Sequence, residues 1–424
     1  MKKLLSIVLA VMLVLGMSSA LAEDVVVKMF GLKIEIDPAL QEYAKWYNEQ
    51  NPGVKVEVES LGGGADYGAV LKSKNQAGEL PQIIQVEGKS GYNDWKDYAV
   101  SLDDAKFVEK TTLSYKNDKG EVVGFPVAIE GYGLAYNKDI LDKAGIDSET
   151  LNTRQNIQAA FEKLDGMKAE LGLDAVVAGA TSLTGGMWWS IGQHVFSSYF
   201  SAGLEYGDRK IMDLAEEGKV DEERLKEFAE YVALLMKYSE PTILSTGDYN
   251  AQVTAFANGK TAFVTQGNWA DPTLKELGAT FEMGFAPHAF LSTEDNGIQL
   301  NPPSWYLVTN TGTEAQIKAA KDFLDSFVTT KEGQEFMVVK AGMVPAFSGV
   351  ELKPEGKLSL DLIAKNERGG NHNWFFGELP SGFGQNVVGP IMDLYAQDPA
   401  NIDVDALYND LKGAIEKIPE LNKK

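Results

Sequence analysis

Short apolar runs alternate with amphipathic segments along most of the chain, and this alternation limits the possible folds more than any other feature. Residues 25–30 and 54–58 have the pattern of buried strands. Residues 37–51 between them predict a helix, with Asp37 as its cap and Pro38 in its first turn. Strand, helix and strand in succession form a βαβ unit, so we expect an α/β fold with sheets rich in parallel strands.

The length of the chain predicts more than one lobe. Its 424 residues exceed what one hydrophobic core usually supports, and no internal repeat or long Pro- or Ser-rich tract divides them. We therefore expect two lobes joined by short ordered crossings. A further buried strand is predicted at residues 81–86, and helices are predicted at residues 315–329, 332–340 and 404–417.

The amino terminus has the pattern of a cleavable secretory signal. Lys2 and Lys3 precede an apolar run over residues 4–15, and Ala20-Leu21-Ala22 follows as a cleavage site. The run is shorter than the ~20 residues that a membrane-spanning helix needs. We therefore predict that residues 1–22 are removed and that the mature protein is soluble in the periplasm or outside the cell. The chain has no cysteine, so it forms no disulfide and is not expected to be a lipoprotein.

The charge balance bears on partners and ligands. Loss of Lys2 and Lys3 leaves 37 basic and 61 acidic residues, a formal net charge of −24, which argues against nucleic acid and favours a solvated, monomeric protein. The arginines are few: Arg154, Arg209, Arg224 and Arg368. Since arginine is the usual partner of a carboxylate or phosphate, a neutral ligand is favoured, although lysine or a helix amino terminus could serve instead.

Three blocks of sequence carry a family resemblance. They read AIEGYGLAYNKD at residues 128–139, NGKTAFVTQGNW at residues 258–269, and AAKDFLDSFVTTKEGQEF at residues 319–336, with Gly342 and Pro345 following. Together with the signal segment they resemble the extracellular solute-binding proteins of carbohydrate ABC transporters (family 1), whose familiar member is maltose-binding protein.

The resemblance implies a two-lobed periplasmic-binding-protein fold (type II-like) with three interlobe crossings and a central ligand cleft. The expected crossings lie near residues 130–133, 284–287 and 345–348. One lobe then comprises residues 23–130 and 288–345, and the other comprises residues 134–284 and 349–424. The implied function is the capture of a neutral oligosaccharide by hinge closure and its delivery to the transmembrane permease subunits, with no catalysis and no cofactor.

A sugar offers flat C–H faces and a rim of hydroxyls, so its site needs aromatic rings and planar hydrogen-bonding groups. Trp269 is the first candidate, because it follows Gly267 and Asn268 after an apolar strand, and the family places such a tryptophan in the cleft. Asn268 is a candidate beside it. Trp188 and Trp189 are the next, and we expect one of them to face the ligand while the other packs.

The remaining candidates come from several parts of the chain. The resemblance aligns Glu130 with a glutamate that bonds sugar hydroxyls, and a solvent-exposed or hinge-capping glutamate is the alternative. Glu87 ends a predicted strand, and Asp66 and Tyr67 follow three glycines; each is equally consistent with a ligand contact or a structural role. Trp305 is similar. Late aromatic contacts are expected from Trp374 or Phe383, in a glycine-rich aromatic stretch.

Two other classes of protein remain open. A secreted glycosidase also has tryptophans and acids in its cleft, and it needs two carboxylates about 5 to 10 Å apart, but no acid pair lies in a recognisable active-site motif. A surface adhesin or carbohydrate-binding module uses a flat aromatic platform instead of a closing cleft. Metal chemistry is disfavoured, since His194, His288 and His372 have no ligand spacing. His194 is expected to be a helix residue near the cleft or core.

Overall fold

Twelve strands form two main sheets and a short ribbon in the computed structural model, which describes residues 24–62 and 65–423. The predicted signal, residues 1–22, lies outside the described residues. The strands are β1 (Val25–Gly31), β2 (Val54–Ser60), β3 (Ile83–Glu87), β4 (Tyr115–Lys116), β5 (Val122–Pro126), β6 (Glu130–Tyr132), β7 (Leu134–Asn137), β8 (Val177–Ala178), β9 (Phe263–Val264), β10 (Met283–Ala286), β11 (Gln299–Asn301) and β12 (Ser304–Val308).

The larger sheet belongs to the first lobe and has the order β2-β1-β3-β12-β5-β4. β1 pairs in parallel with β2 and β3, as the βαβ pattern predicts. β12 is antiparallel to both β3 and β5, and β4 is antiparallel to β5. The prediction of sheets rich in parallel strands is therefore wrong: the sheet is mixed, because β12 enters it after the chain has returned from the other lobe.

The smaller sheet belongs to the second lobe and has the order β10-β7-β9-β8. β7 is antiparallel to both of its neighbours, β10 and β9, and β8 is parallel to β9. β7 follows directly after the ribbon strand β6. The sheet therefore begins where the chain first enters the second lobe.

Helices cover both sheets, and the longer ones match the predictions to within a few residues. Thr313 begins the helix Glu314–Thr329 with a capping box that it forms with Gln316. Asp37 is the first residue of its helix but not its cap; Ile36 takes that position without a side-chain bond. The α-helices are Asp37–Gln50, Tyr67–Gln76, Gly88–Trp95, Lys138–Lys143, Arg154–Gly166, Lys168–Leu171, Phe196–Ser201, Lys210–Glu216, Glu222–Lys237, Pro241–Thr246, Tyr249–Ala257, Asp271–Glu276, Glu314–Thr329, Lys331–Glu335, Lys357–Arg368, Gly389–Ala396, Val404–Ile415 and Ile418–Leu421.

Irregular helical turns of the π type occur at three points in the described residues. One turn of π-helix spans Ser190–Val195 and another spans Gly384–Val388. A third, Phe336–Lys340, ends the helical segment that was predicted as one helix over residues 332–340. None of the helices that the structure describes is long and apolar enough to cross a membrane.

The three passages between the lobes run close together. β6 pairs with β11 in an antiparallel ribbon, Glu130 opposite Asn301, and Ile129 bridges to Val344. The second passage differs from the prediction near residues 284–287, because β10 pairs along its whole length with β7 in the second lobe. The run of apolar residues before Pro287 is therefore a buried edge of the smaller sheet, and the ribbon strand β11 leads the chain back.

We propose revised lobe boundaries from these pairings. The chain first crosses at β6 and returns through β11. Ser348 still bonds to the carbonyl of Lys110 in the first lobe, whereas the amide of Leu358 donates to Asp271 in the second lobe. The third crossing then lies between residues 348 and 357, slightly later than residues 345–348.

Candidate functional site

A cleft with a volume of about 340 Å³ lies between the lobes, and residues of both lobes line it. This volume is within the range of roughly 300 to 1,000 Å³ that is usual for small-molecule sites. The first lobe contributes the turn after β1, the start of the helix Tyr67–Gln76 and the helix Gly88–Trp95. The second lobe contributes residues 186–194, Trp269 and residues 374–385.

The structure brings most of the predicted site residues together. Nine of them line the cleft: Asp66, Tyr67, Glu87, Glu130, Trp188, Trp189, Trp269, Trp374 and Phe383. Asn268 and Trp305 do not. Residues far apart in the sequence therefore converge on one space between the lobes.

Asn268 and Trp305 lie outside the cleft for different reasons. The Asn268 carboxamide is buried at the hinge, where it accepts a bond from the amide of Gly131 at 2.9 Å and donates to Ser359 Oγ at 3.2 Å. Trp305 lies on β12, and its Nε1 donates to the carbonyl of Leu113 at 3.0 Å. The Asn268 prediction rested on its place beside Trp269 and the Trp305 prediction on its place after the second predicted crossing, whereas the two side chains brace the hinge and the first lobe.

Trp269 lies in an aromatic wall on the side of the second lobe. Its ring is nearly parallel to those of Tyr132 and Trp374, with centroid distances of 5.8 Å and 5.9 Å. Trp269 Nε1 donates to Gln266 Oε1 at 2.7 Å, which fixes the orientation of the indole. A Cβ on Gly267 would come within 2.1 Å of this ring, so the glycine allows the ring to fold back against the chain.

Trp188 and Trp189 both line the cleft and are both partly exposed. The expectation that one faces the cleft and the other packs away is therefore wrong. They lie at the start of a helical turn, where successive side chains differ by about 100° rather than pointing to opposite sides. The ring of Trp189 meets Trp269 edge-on at 6.4 Å between centroids.

The first lobe presents polar groups, several of which already have partners. Tyr67 stacks on Phe30, and its hydroxyl is bonded to the backbone of Phe30 and Gln85. One carboxylate oxygen of Asp66 caps the helix Tyr67–Gln76 by accepting from the amide of Ala69 at 2.9 Å. Tyr67 therefore offers its ring more than its hydroxyl, and the second carboxylate oxygen of Asp66 accepts only a long bond, 3.4 Å, from Gln385 Nε2.

A buried charge cluster forms the inner end of the cleft. Lys33 Nζ lies 2.5 Å from Glu130 Oε1 and 3.4 Å from Glu35 Oε1, and it is 5.9 Å from the centre of the Trp269 ring. The predicted contact Glu130 is thus held by a lysine that the sequence predictions missed. Lys33 directly follows the first parallel strand, and ligands in α/β folds bind beyond the carboxyl ends of such strands, which is a signal that could have identified it.

Burial and charge compete in this cluster. Burial disfavours the ammonium form of Lys33, but Glu130 and Glu35 outweigh it and raise the lysine pKa. Burial raises the pKa of Glu130 despite the opposing effect of Lys33. Burial also raises the pKa of Glu87, to about 7. Glu87 is therefore a carboxyl of this group whose charge changes near neutral pH.

We expect Glu87→Gln to stabilise the protein more at pH 8 than at pH 5. The pKa of Glu87 is about 7 in the folded protein and 4.5 as the reference value. The folded state thus holds an extra proton between these values, and stability falls as the pH rises through this window. Glutamine mimics the protonated form, so thermal unfolding at pH 8 should show a rise in Tm of about 2 °C or more. An equal change at both pH values would contradict this assignment.

The two lobes also touch at the outer rim of the cleft. The Cα atoms of Gly88 in the first lobe and Gly377 in the second approach so closely that a Cβ on Gly377 would lie 2.6 Å from Gly88 Cα. Ser381 Oγ donates to Asp94 Oδ2 at 2.8 Å, and Gln385 Nε2 donates to Asp66 Oδ2 at 3.4 Å. The structure therefore has the lobes in contact on both sides of the cleft, at the hinge and at the rim.

Other cleft residues were not predicted as contacts. They include Gln193, His194, Tyr249, Phe376 and Gln385. His194 was expected near the cleft or core, and it lies in a π-turn and is 7% exposed. Among the residues that the structure describes, there is no group of three or more His, Cys, Asp or Glu side chains that could hold a metal ion.

Comparisons with known proteins agree on one family. The model for "Bacterial extracellular solute-binding protein" matches residues 42–362. The multiple sugar-binding protein of Streptococcus mutans is 24% identical over 342 residues, which cover 78% of this chain and 78% of the relative. A maltooligosaccharide ABC transporter solute-binding lipoprotein of Streptococcus pneumoniae is 27% identical over 333 residues, covering 75% of this chain and 71% of the relative.

Solved structures share the whole two-lobed fold. A sugar transporter protein from Bacillus licheniformis in complex with stachyose has a TM-score of 0.71 at 17% identity, covering 93% of this chain and 100% of that chain. A chitin oligosaccharide binding protein has a TM-score of 0.75 at 16% identity, covering 94% and 99%. The predicted fold class, a type II-like binding protein with two lobes and a central cleft, is confirmed by these likenesses.

Proposed function

The chain belongs to the family of bacterial extracellular solute-binding proteins, and from that premise we propose that it is the sugar-binding component of an ABC importer. It captures a neutral oligosaccharide between its lobes and delivers it to the transmembrane permease subunits. The family and the relatives are solute-binding proteins rather than enzymes. The observation that carries the proposal is the cleft itself, with aromatic rings on one wall and polar groups on the other.

The two walls suit the two kinds of surface on a sugar. Trp188, Trp189 and Trp269 are partly exposed in the cleft, so their rings are available to stack on the C–H faces of sugar rings. Asp66, Glu87 and other polar side chains of the first lobe lie opposite and can bond hydroxyl groups. Several aromatic rings along one cleft favour an oligosaccharide over a monosaccharide.

The charges of the cleft favour a neutral ligand. The amino group of Lys33 is already paired with Glu130. Three carboxylates lie around it, those of Glu35, Glu87 and Glu130. A uronic acid or a sugar phosphate would bring a further negative charge beside these carboxylates, and like charges at short range repel each other. This agrees with the small number of arginines in the chain.

Two functional alternatives receive less support. A carbohydrate-binding module that uses a flat platform fits poorly, since the rings lie inside a cleft between two lobes. A glycosidase needs a free pair of carboxylates, whereas Glu130 is held in an ion pair with Lys33. We further propose that the protein works outside the cytoplasm as a monomer, which is where and how a carrier of this kind meets its permease.

The test is calorimetry of the mature protein, residues 23–424, with a panel of neutral mono- and oligosaccharides. The same mixtures are separated by chromatography after long incubation. We expect one neutral oligosaccharide class to bind at one molecule per protein and to remain intact. Shortened sugars would favour the glycosidase, and a full panel without binding would contradict the proposal.

We expect Trp269→Ala to weaken binding of that sugar by at least tenfold. The side chain provides the central ring of the aromatic wall, and loss of a buried aromatic contact costs roughly 1.5 to 3 kcal/mol. Trp46→Ala is a matched control, since Trp46 is also partly exposed but lies in the first lobe outside the cleft. Calorimetry of both variants measures the effect, and unchanged affinity in Trp269→Ala would remove this residue from the site.

A further inference from the structure

His194 is a buried polar side chain in the aromatic wall. Its ring packs against Trp189, Trp269, Trp374 and Phe376, with centroid distances from 4.9 to 5.6 Å. The whole residue is 7% exposed, and yet it lines the cleft.

The hydrogen bonds of the imidazole are incomplete. Nδ1 is enclosed and has no hydrogen-bond partner among the described residues, whereas Nε2 is not enclosed in this way. A nearby hydroxyl, that of Tyr132, is already committed to the carbonyl of Ser190 at 3.0 Å. A buried polar group without a partner costs roughly 1 to 3 kcal/mol, so the enclosed Nδ1 makes His194 an expensive residue at this position.

The protonation of the ring follows from this environment. Burial, and then the positive charge of Lys33, lower the pKa of His194 to about 3. The neutral ring carries one proton, on one of its two nitrogens. We assign this proton to Nε2, because a proton on the enclosed Nδ1 would be an N–H without an acceptor. The ring then presents an N–H donor on the side of the cleft.

The backbone around His194 also departs from a regular helix. The residue lies in the π-turn Ser190–Val195, and such turns occur frequently at functional sites. The same element begins just after Trp188 and Trp189, which line the cleft. The turn thus places the imidazole beside the aromatic rings that line the cleft.

We propose that His194 is a specificity-determining ligand contact, whose Nε2–H donates a hydrogen bond to one hydroxyl oxygen of a sugar stacked on Trp269. This inference rests on the proposed function and deepens it. The bond lies in an enclosed aromatic environment, so a sugar that lacks this hydroxyl leaves the N–H without a partner and binds more weakly.

The test compares three variants by calorimetry with the sugar that the wild-type protein binds. His194→Leu should lower the affinity about tenfold, because it removes one hydrogen bond in an enclosed site. His194→Gln, which keeps an amide donor near the position of Nε2, should recover part of the loss. His288→Leu is the matched control: His288 is also buried, with its pKa lowered by burial to about 3, but it does not line this cleft.

Thermal unfolding without sugar separates a ligand contact from a structural residue. Leucine has no polar atom that burial would leave without a partner, so this energetic cost is removed. The Tm of His194→Leu should therefore equal or exceed that of the wild-type protein. If Nε2–H bonds one sugar hydroxyl, the monodeoxy analogue that lacks this hydroxyl should bind the wild-type protein more weakly than the parent sugar does. His194→Leu should bind the analogue and the parent sugar with equal affinity.

Each outcome bears on one proposal. Wild-type affinity in His194→Leu would overturn the role of His194 while leaving the sugar-binding function intact. A Tm that falls together with the affinity, without recovery in His194→Gln, would also overturn it, by making His194 structural. Absence of sugar binding to the wild-type protein would instead contradict the proposed function.

Discussion

Replacing Gly377 by alanine is expected to weaken sugar binding about 100-fold, which corresponds to roughly 2.7 kcal/mol. A Cβ at this position would lie 2.6 Å from Gly88 Cα, closer than real Cβ contacts allow. The neighbour cannot move aside easily, because it is backbone and not the end of a flexible side chain. Gly88 itself has φ +59°, a conformation that favours glycine.

The reason for the large effect is that the lobes would remain apart at the rim. A sugar held by one wall keeps the aromatic contacts of the second lobe but loses the polar contacts of the first. The bonds of Ser381 with Asp94 and of Gln385 with Asp66 also require this approach. Small-angle scattering of Gly377→Ala with saturating sugar should therefore give a larger radius of gyration than the wild-type complex.

Gly166→Ala is the matched control for this variant. Gly166 ends a helix of the second lobe, and a Cβ there would meet nothing within 4 Å. This variant should bind sugar with wild-type affinity and give the wild-type radius of gyration. If Gly377→Ala behaves in the same way, the contact with Gly88 has no part in closure.

Replacing Lys33 by methionine is expected to lower the free energy of unfolding by about 3 kcal/mol at pH 8. The variant leaves Glu130 buried without its partner, and breaking one side of a buried ion pair costs roughly 3 to 5 kcal/mol. The two side chains are 12% and 7% exposed, so water screens them poorly. Denaturant unfolding measures the change.

Two further variants distinguish an ion pair from simple loss of packing. Adding Glu130→Gln to Lys33→Met should restore part of the stability, because the uncompensated charge is gone. Lys275→Met breaks the exposed pair with Glu355, whose side chains are 72% and 66% exposed, and it should cost less than about 1 kcal/mol. A similar cost for Lys33→Met and Lys275→Met would mean that the buried cluster carries no special stability.

Most of the regular elements could be predicted because their periodicity is local. The strand predicted at residues 54–58 is observed as Val54–Ser60, and the helix predicted at residues 315–329 is observed as Glu314–Thr329. Apolar spacing and the Thr313 cap are properties of a short segment, so no tertiary information was needed. The resemblance of the sequence blocks then supplied the two-lobed fold.

Pairing partners could not be predicted in the same way. An apolar run such as residues 283–286 has the same sequence pattern whether it crosses between the lobes or forms the edge strand of a sheet. Only its pairing with β7 shows that it is an edge strand. The direction of β12 in the larger sheet is a further example. Both depend on where the chain returns far along the sequence, which no local pattern contains.

The residues of the candidate site also divide into those that a local pattern predicts and those that depend on tertiary partners. Trp269, Trp188 and Trp189 could be predicted, because tryptophan near a glycine turn is rare and the resemblance places it in the cleft. The pairing of Lys33 with Glu130 and the packing of His194 against Trp374 could not, since these partners are far away in the sequence. Trp305 shows the converse, a tryptophan of the expected type whose indole is committed to Leu113.

Energy transfer across the cleft tests the central claim, that a sugar is held between two closing lobes. The chain has no cysteine, so Lys72→Cys and Gln397→Cys, at exposed positions in opposite lobes, can be labelled without background. We predict that energy transfer between the dyes rises when the sugar that the protein binds is added. A pair within the first lobe, Lys72→Cys with Lys119→Cys, should not change. Sugar that binds with no change in the cross-cleft pair would contradict hinge closure.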